Sequence, residues 1–344
     1  MFRYHRQKII LSASNIHSKY INSVNNLSLR NLGLTGKNPS VACLIVDYSK
    51  SISGEVLSYG LTSINGSPHA EINALKKVNK KQITNQTFMY VSLEPCFKLE
   101  KCCAKKIAKS GIKKVIISSR DPNPLIYNKG INFLKKNRIK VSIAKYGLNQ
   151  FSNINKYFFN FYKRKQPFVT LKLALSKNNF SKDLKNKNIT SLDTQYFMHK
   201  YRLYHDAIAV GYNTYKDDSP QLTCRLNGVN KKLTKFIFFS KPKKTLKGKF
   251  QDFYFLENIN RYFDELVKDN VKSVLIEGGI KTFSFFLKSN CFDQILLCKS
   301  NKIVRGSKKR YQINKNLIKR RCNLMSSMTY GDDVIEIYNN KRYV

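Results

Sequence analysis

Strand-sized apolar segments alternate with helix-like segments along this 344-residue chain, and this alternation restricts the fold more than any other feature. In the first half, residues 41–47, 87–93 and 113–120 are three such apolar segments, and the residues between them have apolar positions at helical spacing. Strands that alternate with helices are typical of a sheet covered by helices on both faces. We therefore predict a three-layer α/β domain in this half.

The second half has the same alternation with different segments. FVTLKLA, AIAVG, KFIFFS, SVLIEGG and QILLCKS are predicted strands, with helices between them. A chain of this length is long for one hydrophobic core. We predict two α/β domains, at residues 1–145 and 167–344. Residues 146–166 have no dominant period, and we interpret them as a connector with one helix.

Composition bears on the location of the protein. The longest apolar runs are strand-sized, and the N-terminus lacks the apolar core of a secretory signal. Eight cysteines, two of them adjacent, suit a reducing compartment and a metal site better than a disulfide scaffold. We expect a cytoplasmic protein. An organelle transit peptide is a minor alternative, because no acidic residue precedes Asp47.

The formal net charge of +42 has two interpretations. Lysine and arginine neutralise phosphates, so a strongly basic protein can bind nucleic acid. The lysines here are scattered over the whole chain, however, and a solvated lysine-rich surface needs no partner. We favour the second interpretation and expect no specific nucleic-acid partner and no membrane. A basic surface would still attract phosphorylated substrates.

Two short motifs predict a catalytic zinc site. We predict a helix capped by Ser67 with Pro68 at its first position, and His69 and Glu71 follow in its first turn. Cys96 follows Glu-Pro at the end of a predicted strand. A catalytic zinc takes three protein ligands and keeps a fourth position for water, whose pKa it lowers. His-x-Glu followed by Pro-Cys is the signature of zinc nucleobase deaminases. We expect His69 and Cys96 to bind zinc, and Glu71 to carry protons from the water to the departing amine.

Cys102 and Cys103 are both candidates for the third zinc ligand. Consecutive helical residues point about 100° apart, so the two thiols are not expected to face one ion. Counting back from the helix stop at Gly111 favours Cys103 and leaves Cys102 as a small buried thiol.

NPSVACLIV, PHAEINAL, LEPC with the later cysteine pair, and DPNP at residues 121–124 resemble the deaminase domain of the bifunctional riboflavin-biosynthesis family RibD. The resemblance implies a cytidine-deaminase-like fold with one zinc ion. The implied reaction is hydrolytic deamination of 2,5-diamino-6-ribosylamino-4(3H)-pyrimidinone 5′-phosphate. It also implies Cys103 as the third ligand and Asn38 as a pyrimidine contact, although Asn38 is equally a plain turn residue. Only six residues separate Cys96 from Cys103, where the family has a longer Ser-His-Gly-Thr-Pro-Pro segment.

FVTLKLALS, ITS, HKYRLYHDAIAVG, DDSPQLTCR and LIEGG are similar to the family's reductase domain and occur in the same order. The resemblance implies a dihydrofolate-reductase-like α/β domain, which pairs with a second copy. In this family NADPH reduces the ribosyl group of 5-amino-6-(5-phosphoribosylamino)uracil to ribityl. The implied cofactor contacts are Thr214, Asp218, Ser240, Gly278 and Gly279. The implied substrate contacts are Arg202, Leu222, Arg225 and Glu277, the arginines being suited to phosphate.

Three alternatives remain at this point. Ser176-Lys177-Asn178-Asn179 stands where the family has Ser-Leu-Asp-Gly, so the reductase is degenerate in one alternative. In another, the protein is a zinc deaminase acting on RNA with a basic C-terminal binding module. In the third, zinc is structural and the chain is a scaffold. A structural zinc normally has a fourth protein ligand, and Glu71 is better placed as a proton carrier. We therefore favour the bifunctional enzyme.

Overall fold

The computed structural model describes residues 4–97, 102–145, 148–181, 188–239, 251–254, 259–305 and 315–343. The chain divides into two compact units, Met1–Arg164 and Lys165–Val344. Among these described residues, no helix has the length and apolar character needed to cross a membrane.

The first unit is built on a five-stranded sheet. Its elements are α1 (Tyr4–Ser28), β1 (Ala42–Asp47), β2 (Glu55–Leu61), α2 (Ala70–Lys77), β3 (Thr87–Leu93), α3 (Cys103–Ala108), β4 (Lys114–Ser119), α4 (Lys129–Lys136), β5 (Lys140–Ile143), α5 (Leu148–Ile154) and α6 (Lys156–Arg164). The strand order is β2-β1-β3-β4-β5. β1 pairs antiparallel with β2 and β3, whereas β3, β4 and β5 are parallel.

The alternation of side chains along the strands gives this sheet two apolar faces. On one face, Tyr90 and Ile116 pack against Ile21 of α1. On the other, Val91 and Ile117 join a larger core that includes residues of α2, α3 and α4. Because helices cover both faces, the unit has three layers, as predicted.

The second unit is built on an eight-stranded sheet. Its elements are β6 (Phe168–Leu175), α7 (Leu192–Tyr204), β7 (Ala207–Gly211), α8 (Tyr212–Asp218), β8 (Thr234–Phe239), β9 (Gln251–Tyr254), α9 (Ile259–Lys268), β10 (Ser273–Glu277), α10 (Ile280–Ser289), β11 (Gln294–Lys299), α11 (Lys315–Arg321), β12 (Cys322–Tyr330) and β13 (Asp333–Asn340). The strand order is β12-β13-β11-β6-β10-β7-β8-β9. The six strands from β11 to β9 in this order are parallel, and β13 and β12 are antiparallel additions.

The structure differs from the sequence predictions at a helix start. The helix α2 begins at Ala70 with His69 as its N-cap, so the prediction that Ser67 caps it is wrong. Ser67-Pro68 is a cis peptide bond. The Pro68 carbonyl accepts hydrogen bonds from the Ser63 backbone N–H, which precedes the helix, and from the side chain of Asn73, which lies within α2.

The segment interpreted as a connector also has more structure than expected. It contains α5 and α6, whose Phe151 and Phe158 are buried in the core of the first unit. The prediction had allowed for one helix here.

Candidate active sites

Three elements of the first unit bring the predicted zinc ligands together. His69 precedes α2, Cys96 follows β3, and Cys103 is the first residue of α3. The His69 Nδ1 lies 3.6 Å from the Cys96 Sγ and 3.4 Å from the Cys103 Sγ. All three atoms lie within 4.8 Å of one another. Zinc bonds of about 2.3 Å to sulfur and about 2.0 Å to nitrogen, at tetrahedral angles, separate such ligand atoms by about 3.5 Å. The donor set and its spacing therefore fit one zinc ion.

Cys102 does not join this cluster. It is the N-cap of α3 with an extended backbone (φ −111°, ψ 150°), whereas Cys103 is already helical. The Cys102 side chain is buried in the same hydrophobic core as Val91 and Ile107. The change of backbone conformation between the two residues sends the neighbouring thiols to different surroundings.

Glu71 is buried in the first turn of α2, two residues after His69. Burial and the negative charge of Cys96 raise the pKa of its carboxyl to about 7, against the opposing effect of His69 and a hydrogen bond from Cys103. A hydrogen bond from Cys103 is the main cause that lowers the pKa of the Cys96 thiol to about 4. Cys96 therefore offers a thiolate at neutral pH, and Glu71 can gain or lose a proton there.

The turn after β3 is held by a buried carboxylate that sequence reasoning had noted only as part of a motif. Glu94 accepts hydrogen bonds from the backbone N–H groups of Asn128 (3.1 Å) and Ile131 (3.4 Å) at the start of α4. A Cβ at Gly130 would lie 1.9 Å from the Pro95 carbonyl oxygen. The turn that carries Cys96 is thus packed tightly on the first turn of α4.

The loop that leads to His69 and the helix α2 that follows it are both held by neighbouring residues. A Cβ at Gly60 of β2 would lie 2.1 Å from the Ala70 carbonyl oxygen, so glycine allows α2 to approach this strand. The exposed Asn38 donates from Nδ2 to the Gly66 carbonyl at 3.0 Å. The structure therefore places Asn38 beside the loop that precedes the zinc ligands.

The second unit has a cavity of about 790 Å³. Its lining includes Gly211 at the carboxyl end of β7 and Glu277 at that of β10. In open α/β sheets, ligands bind outside the carboxyl ends of the strands. The predicted reductase residues that line this one cavity are Thr214, Asp218, Gly278, Gly279, Arg202, Leu222, Arg225 and Glu277. The remaining one, Ser240, lies outside the described residues.

Glycines make room at one end of the cavity. A Cβ at Gly278 would lie 2.7 Å from the Thr282 Cβ, and one at Gly211 would lie 2.3 Å from the Thr282 Oγ1. Gly279 is the N-cap of α10, and its N–H donates to the Thr214 Oγ1 at 3.1 Å. A helix start that closely approaches two strand ends can hold a phosphate, so this cradle fits the pyrophosphate of a dinucleotide.

Arg202 and Glu277 bind each other at the edge of the same cavity. The Arg202 Nε and Nη2 donate to the two Glu277 carboxylate oxygens at 2.7 and 2.8 Å, and Nη1 donates to the Thr223 carbonyl at 2.8 Å. Burial opposes ionisation of Glu277, but the charge and hydrogen bonds of Arg202 outweigh it and lower the pKa to about 2. The Arg225 side chain is exposed and donates to Gln221 at 3.2 Å.

His199 is a cavity residue that sequence reasoning missed. It lies on α7, one turn before Arg202, and is buried. Its Nδ1 accepts a hydrogen bond from the Arg225 backbone N–H at 3.1 Å, and its carbonyl accepts one from the Cys224 thiol at 3.3 Å. Burial and then the charges of Arg202 and Arg225 lower the pKa of His199. Its only signal in the sequence is a single histidine on a helix, which more often has no role in a site.

The unusual Ser176–Asn179 segment forms a hydrogen-bonded turn. Asn179 has φ of 65°, a conformation that glycine adopts freely and that asparagine tolerates best among the other residues. The Asn178 amide donates to the Val304 carbonyl at 2.9 Å and accepts from the Val304 N–H at 3.2 Å. The departure from the family pattern is therefore accommodated by the backbone.

Comparisons with known proteins find a family model that matches each of the two units. The family model of the cytidine and deoxycytidylate deaminase zinc-binding region matches residues 14–119, and that of the RibD C-terminal domain matches residues 167–335. The chain is 31% identical over 315 residues to riboflavin biosynthesis protein RibD of Bacillus amyloliquefaciens, covering 80% of this chain and 82% of that protein. It is 42% identical over 132 residues to diaminohydroxyphosphoribosylamino-pyrimidine deaminase of Buchnera aphidicola, covering 38% of this chain and 82% of that protein.

A solved structure has the same fold over nearly the whole chain. The structure of Acinetobacter baumannii RibD matches with a TM-score of 0.82 at 22% identity and covers 95% of this chain and 99% of that one. Fold and sites together define a zinc-dependent deaminase joined to a reductase, which confirms the predicted fold class. The chain belongs to the RibD family of bifunctional riboflavin-biosynthesis enzymes, whose cofactors are zinc and NADPH.

Proposed function

We propose that this protein deaminates 2,5-diamino-6-ribosylamino-4(3H)-pyrimidinone 5′-phosphate. We further propose that it reduces the ribosyl group of 5-amino-6-(5-phosphoribosylamino)uracil with NADPH. The observation that carries the proposal is the convergence of His69, Cys96 and Cys103 beside the buried Glu71. The same chain also has the reductase cavity with its glycine cradle.

In the deaminase site, His69, Cys96 and Cys103 would hold the zinc ion through Nδ1 and two thiolates. Zinc, when bound, is a Lewis acid that makes hydroxide available at neutral pH. Glu71 accepts the proton that the attacking water loses and then donates it to the departing amine. A carboxyl with a pKa of about 7 suits both steps near neutral pH. Asn38, beside the loop that precedes His69, is the proposed pyrimidine contact.

In the reductase site, the start of α10 with Gly278 and Gly279 would hold the NADPH pyrophosphate, with Thr214 and Asp218 as further cofactor contacts. Ser240 is also proposed near the cofactor by resemblance. NADPH supplies the hydride for the ribosyl group.

For the substrate, we propose that Arg225 and Leu222 contact it directly, since both line the cavity. Glu277 presents an ionised carboxylate whose position is set by Arg202. Three of the Arg202 N–H groups are used by Glu277 and Thr223, so Arg225 is the better candidate for the phosphate.

The deaminase proposal is tested with Glu71→Gln, which keeps the size of the side chain and removes its ability to carry a proton. We expect full zinc content by metal analysis and a loss of ammonia release of about 10²–10⁴-fold. Loss of zinc together with activity would make Glu71 a ligand and contradict its role as proton carrier.

We also propose that the reductase unit pairs with a second copy of the chain and that the enzyme works in the cytoplasm. The pairing comes from the family resemblance, and the cytoplasmic location comes from the cysteine usage. Light scattering of the purified full chain should give the mass of a dimer or a larger even assembly. A monomer at micromolar concentration would contradict the pairing.

A further inference from the structure

A second cavity, of about 390 Å³, lies in the first unit. Tyr90 and Ile116 pack with α1 on the face of the sheet that forms this cavity, whereas Val91 packs on the opposite face together with Cys102. α2 and α3, which position the zinc ligands, cover that opposite face. The proposed reactions do not use this cavity.

One row of cross-strand neighbours gives the cavity its charge. Phe88, Lys114 and Lys140 are paired across β3, β4 and β5, so their side chains lie on one face. Adjacent strands are about 4.8 Å apart, so the two lysines leave neighbouring strands on the same face, and like charges in such positions destabilise a sheet. The Lys114 Nζ lies 4.6 Å from the centroid of the Phe88 ring, so the ammonium covers one face of that ring. Lys145 adds a third positive charge. The residues that line the cavity, all within the described part of the chain, include no acid.

Two aromatic rings, those of His17 and Phe88, line the cavity beside aliphatic side chains. The His17 ring centroid lies 5.2 Å from that of Phe88 and 5.8 Å from that of Tyr90. The His17 Nδ1 lies 2.6 Å from the Tyr90 hydroxyl, which in turn lies 2.6 Å from the Tyr48 hydroxyl. Burial and then Lys114 lower the pKa of His17, so its ring is neutral at pH 7.

We propose that this cavity binds a small aromatic monophosphate, with the phosphate between Lys114 and Lys140 and the aromatic ring against His17 and Phe88. Ammonium groups form charge-assisted hydrogen bonds with phosphate, and an anion there relieves the repulsion between the paired lysines. Aromatic side chains favour a flat ring over an aliphatic body. The cavity volume lies within the range of about 300–1,000 Å³ that is usual for small-molecule sites.

The test is calorimetric titration of the zinc-loaded full chain with 1-naphthyl phosphate, in physiological salt and with NADP⁺ present to fill the reductase cavity. We expect one binding event that is at least tenfold weaker in Lys114→Gln/Lys140→Gln. The control variant is Lys113→Gln/Lys135→Gln, which removes the same charge at two exposed lysines outside the cavity and should bind like the unchanged protein.

Two further probes separate the parts of the site. 1-Naphthol lacks the charge and inorganic phosphate lacks the ring, so each should bind at least tenfold more weakly than 1-naphthyl phosphate. If 1-naphthol bound as tightly as 1-naphthyl phosphate, the cavity would be only an apolar groove. If inorganic phosphate bound as tightly as 1-naphthyl phosphate, the cavity would be a general anion site. If the cavity variant and the control variant both bound 1-naphthyl phosphate more weakly to the same extent, the ligand would be attracted by the overall charge of the protein. Each of these results, like the absence of binding, would overturn the proposal.

Discussion

Two adjacent cysteines differ in surroundings because the backbone changes from extended to helical between them. Cys103 faces His69 and Cys96, and Cys102 is buried in the core. Cys103→Ser should lower the zinc content strongly, because serine is a poor replacement for a thiolate ligand. Cys102→Ser should keep the zinc and lower thermal stability, because it buries a hydroxyl in an apolar core. Metal analysis of both variants is the check, and the reverse pattern would move the ligand to Cys102.

The ion pair between Arg202 and Glu277 makes a prediction about acid stability. The folded-state pKa of Glu277 is lowered from its usual 4.5 to about 2, so its stabilisation is complete above about pH 4.5 and is lost as the pH falls towards 2. Glu277→Gln should be less stable at pH 7 by about 3–5 kcal/mol, because it leaves the buried Arg202 without its partner charge.

The difference in unfolding free energy between this variant and the unchanged protein should narrow below pH 4.5. Urea unfolding at pH 7, 5, 4 and 3 measures it. A difference that stays constant down to pH 3 would contradict the lowered pKa of Glu277.

At the scale of elements, α7 positions the loop that carries Leu222 and Arg225. Arg202 donates to the Thr223 carbonyl, and His199 accepts from the Arg225 backbone N–H. His199→Ala should raise the KM for the phosphorylated substrate about tenfold, because the loop loses one of these contacts and Arg225 is less well fixed. The KM for NADPH should stay unchanged.

His199→Asn is the matched variant, since its amide oxygen can accept the same hydrogen bond. Steady-state kinetics with each substrate varied in turn should show a partial return of the KM. Equal effects of alanine and asparagine on both KM values would mean that His199 only supports the fold.

The packing of α4 against the turn after β3 is equally testable. Gly130→Ala adds a Cβ that would lie 1.9 Å from the Pro95 carbonyl oxygen, so the turn or the helix must move. We expect a loss of about 1–3 kcal/mol in unfolding free energy and a lower zinc affinity, because Cys96 follows Pro95 directly. Asn132→Ala, at an exposed position of the same helix, is the control and should change neither quantity. An unchanged zinc affinity in Gly130→Ala would separate this packing from the metal site.

For the molecule as a whole, the sequence predicted the elements that carry local signals. The core strands β1, β3 and β4 are buried almost throughout and each has a central apolar run, and the two zinc motifs lie at a strand end and a helix start. Five strands, β2, β5, β9, β12 and β13, were missed. Many side chains of β2, β5, β12 and β13 are half or fully exposed, so these strands lack a long apolar run. The start of α2 was misplaced because His69, not Ser67, is the N-cap, and the hydrogen bonds of the Pro68 carbonyl with Ser63 and Asn73 are not visible in the residue types alone.

Functional residues could likewise be predicted from the sequence where they belong to a local motif. The zinc ligands and Glu71 belong to motifs, so their positions could be predicted. His199 was missed because a lone histidine carries no pattern, and its contact with Arg225 joins residues 26 apart. The pairing of Lys114 with Lys140 depends on the strand register, which single-sequence periodicity does not give.

The most direct test of the whole molecule is a split assay on the zinc-loaded protein with the phosphoribosylated diaminopyrimidinone. Ammonia release is followed first without NADPH, and NADPH oxidation is followed after the cofactor is added. We predict ammonia followed by oxidation, with Glu71→Gln lowering ammonia release by about 10²–10⁴-fold and Asp218→Ala slowing only the oxidation. Ammonia release without any subsequent oxidation would contradict a working reductase, and the absence of both signals would contradict the proposed function.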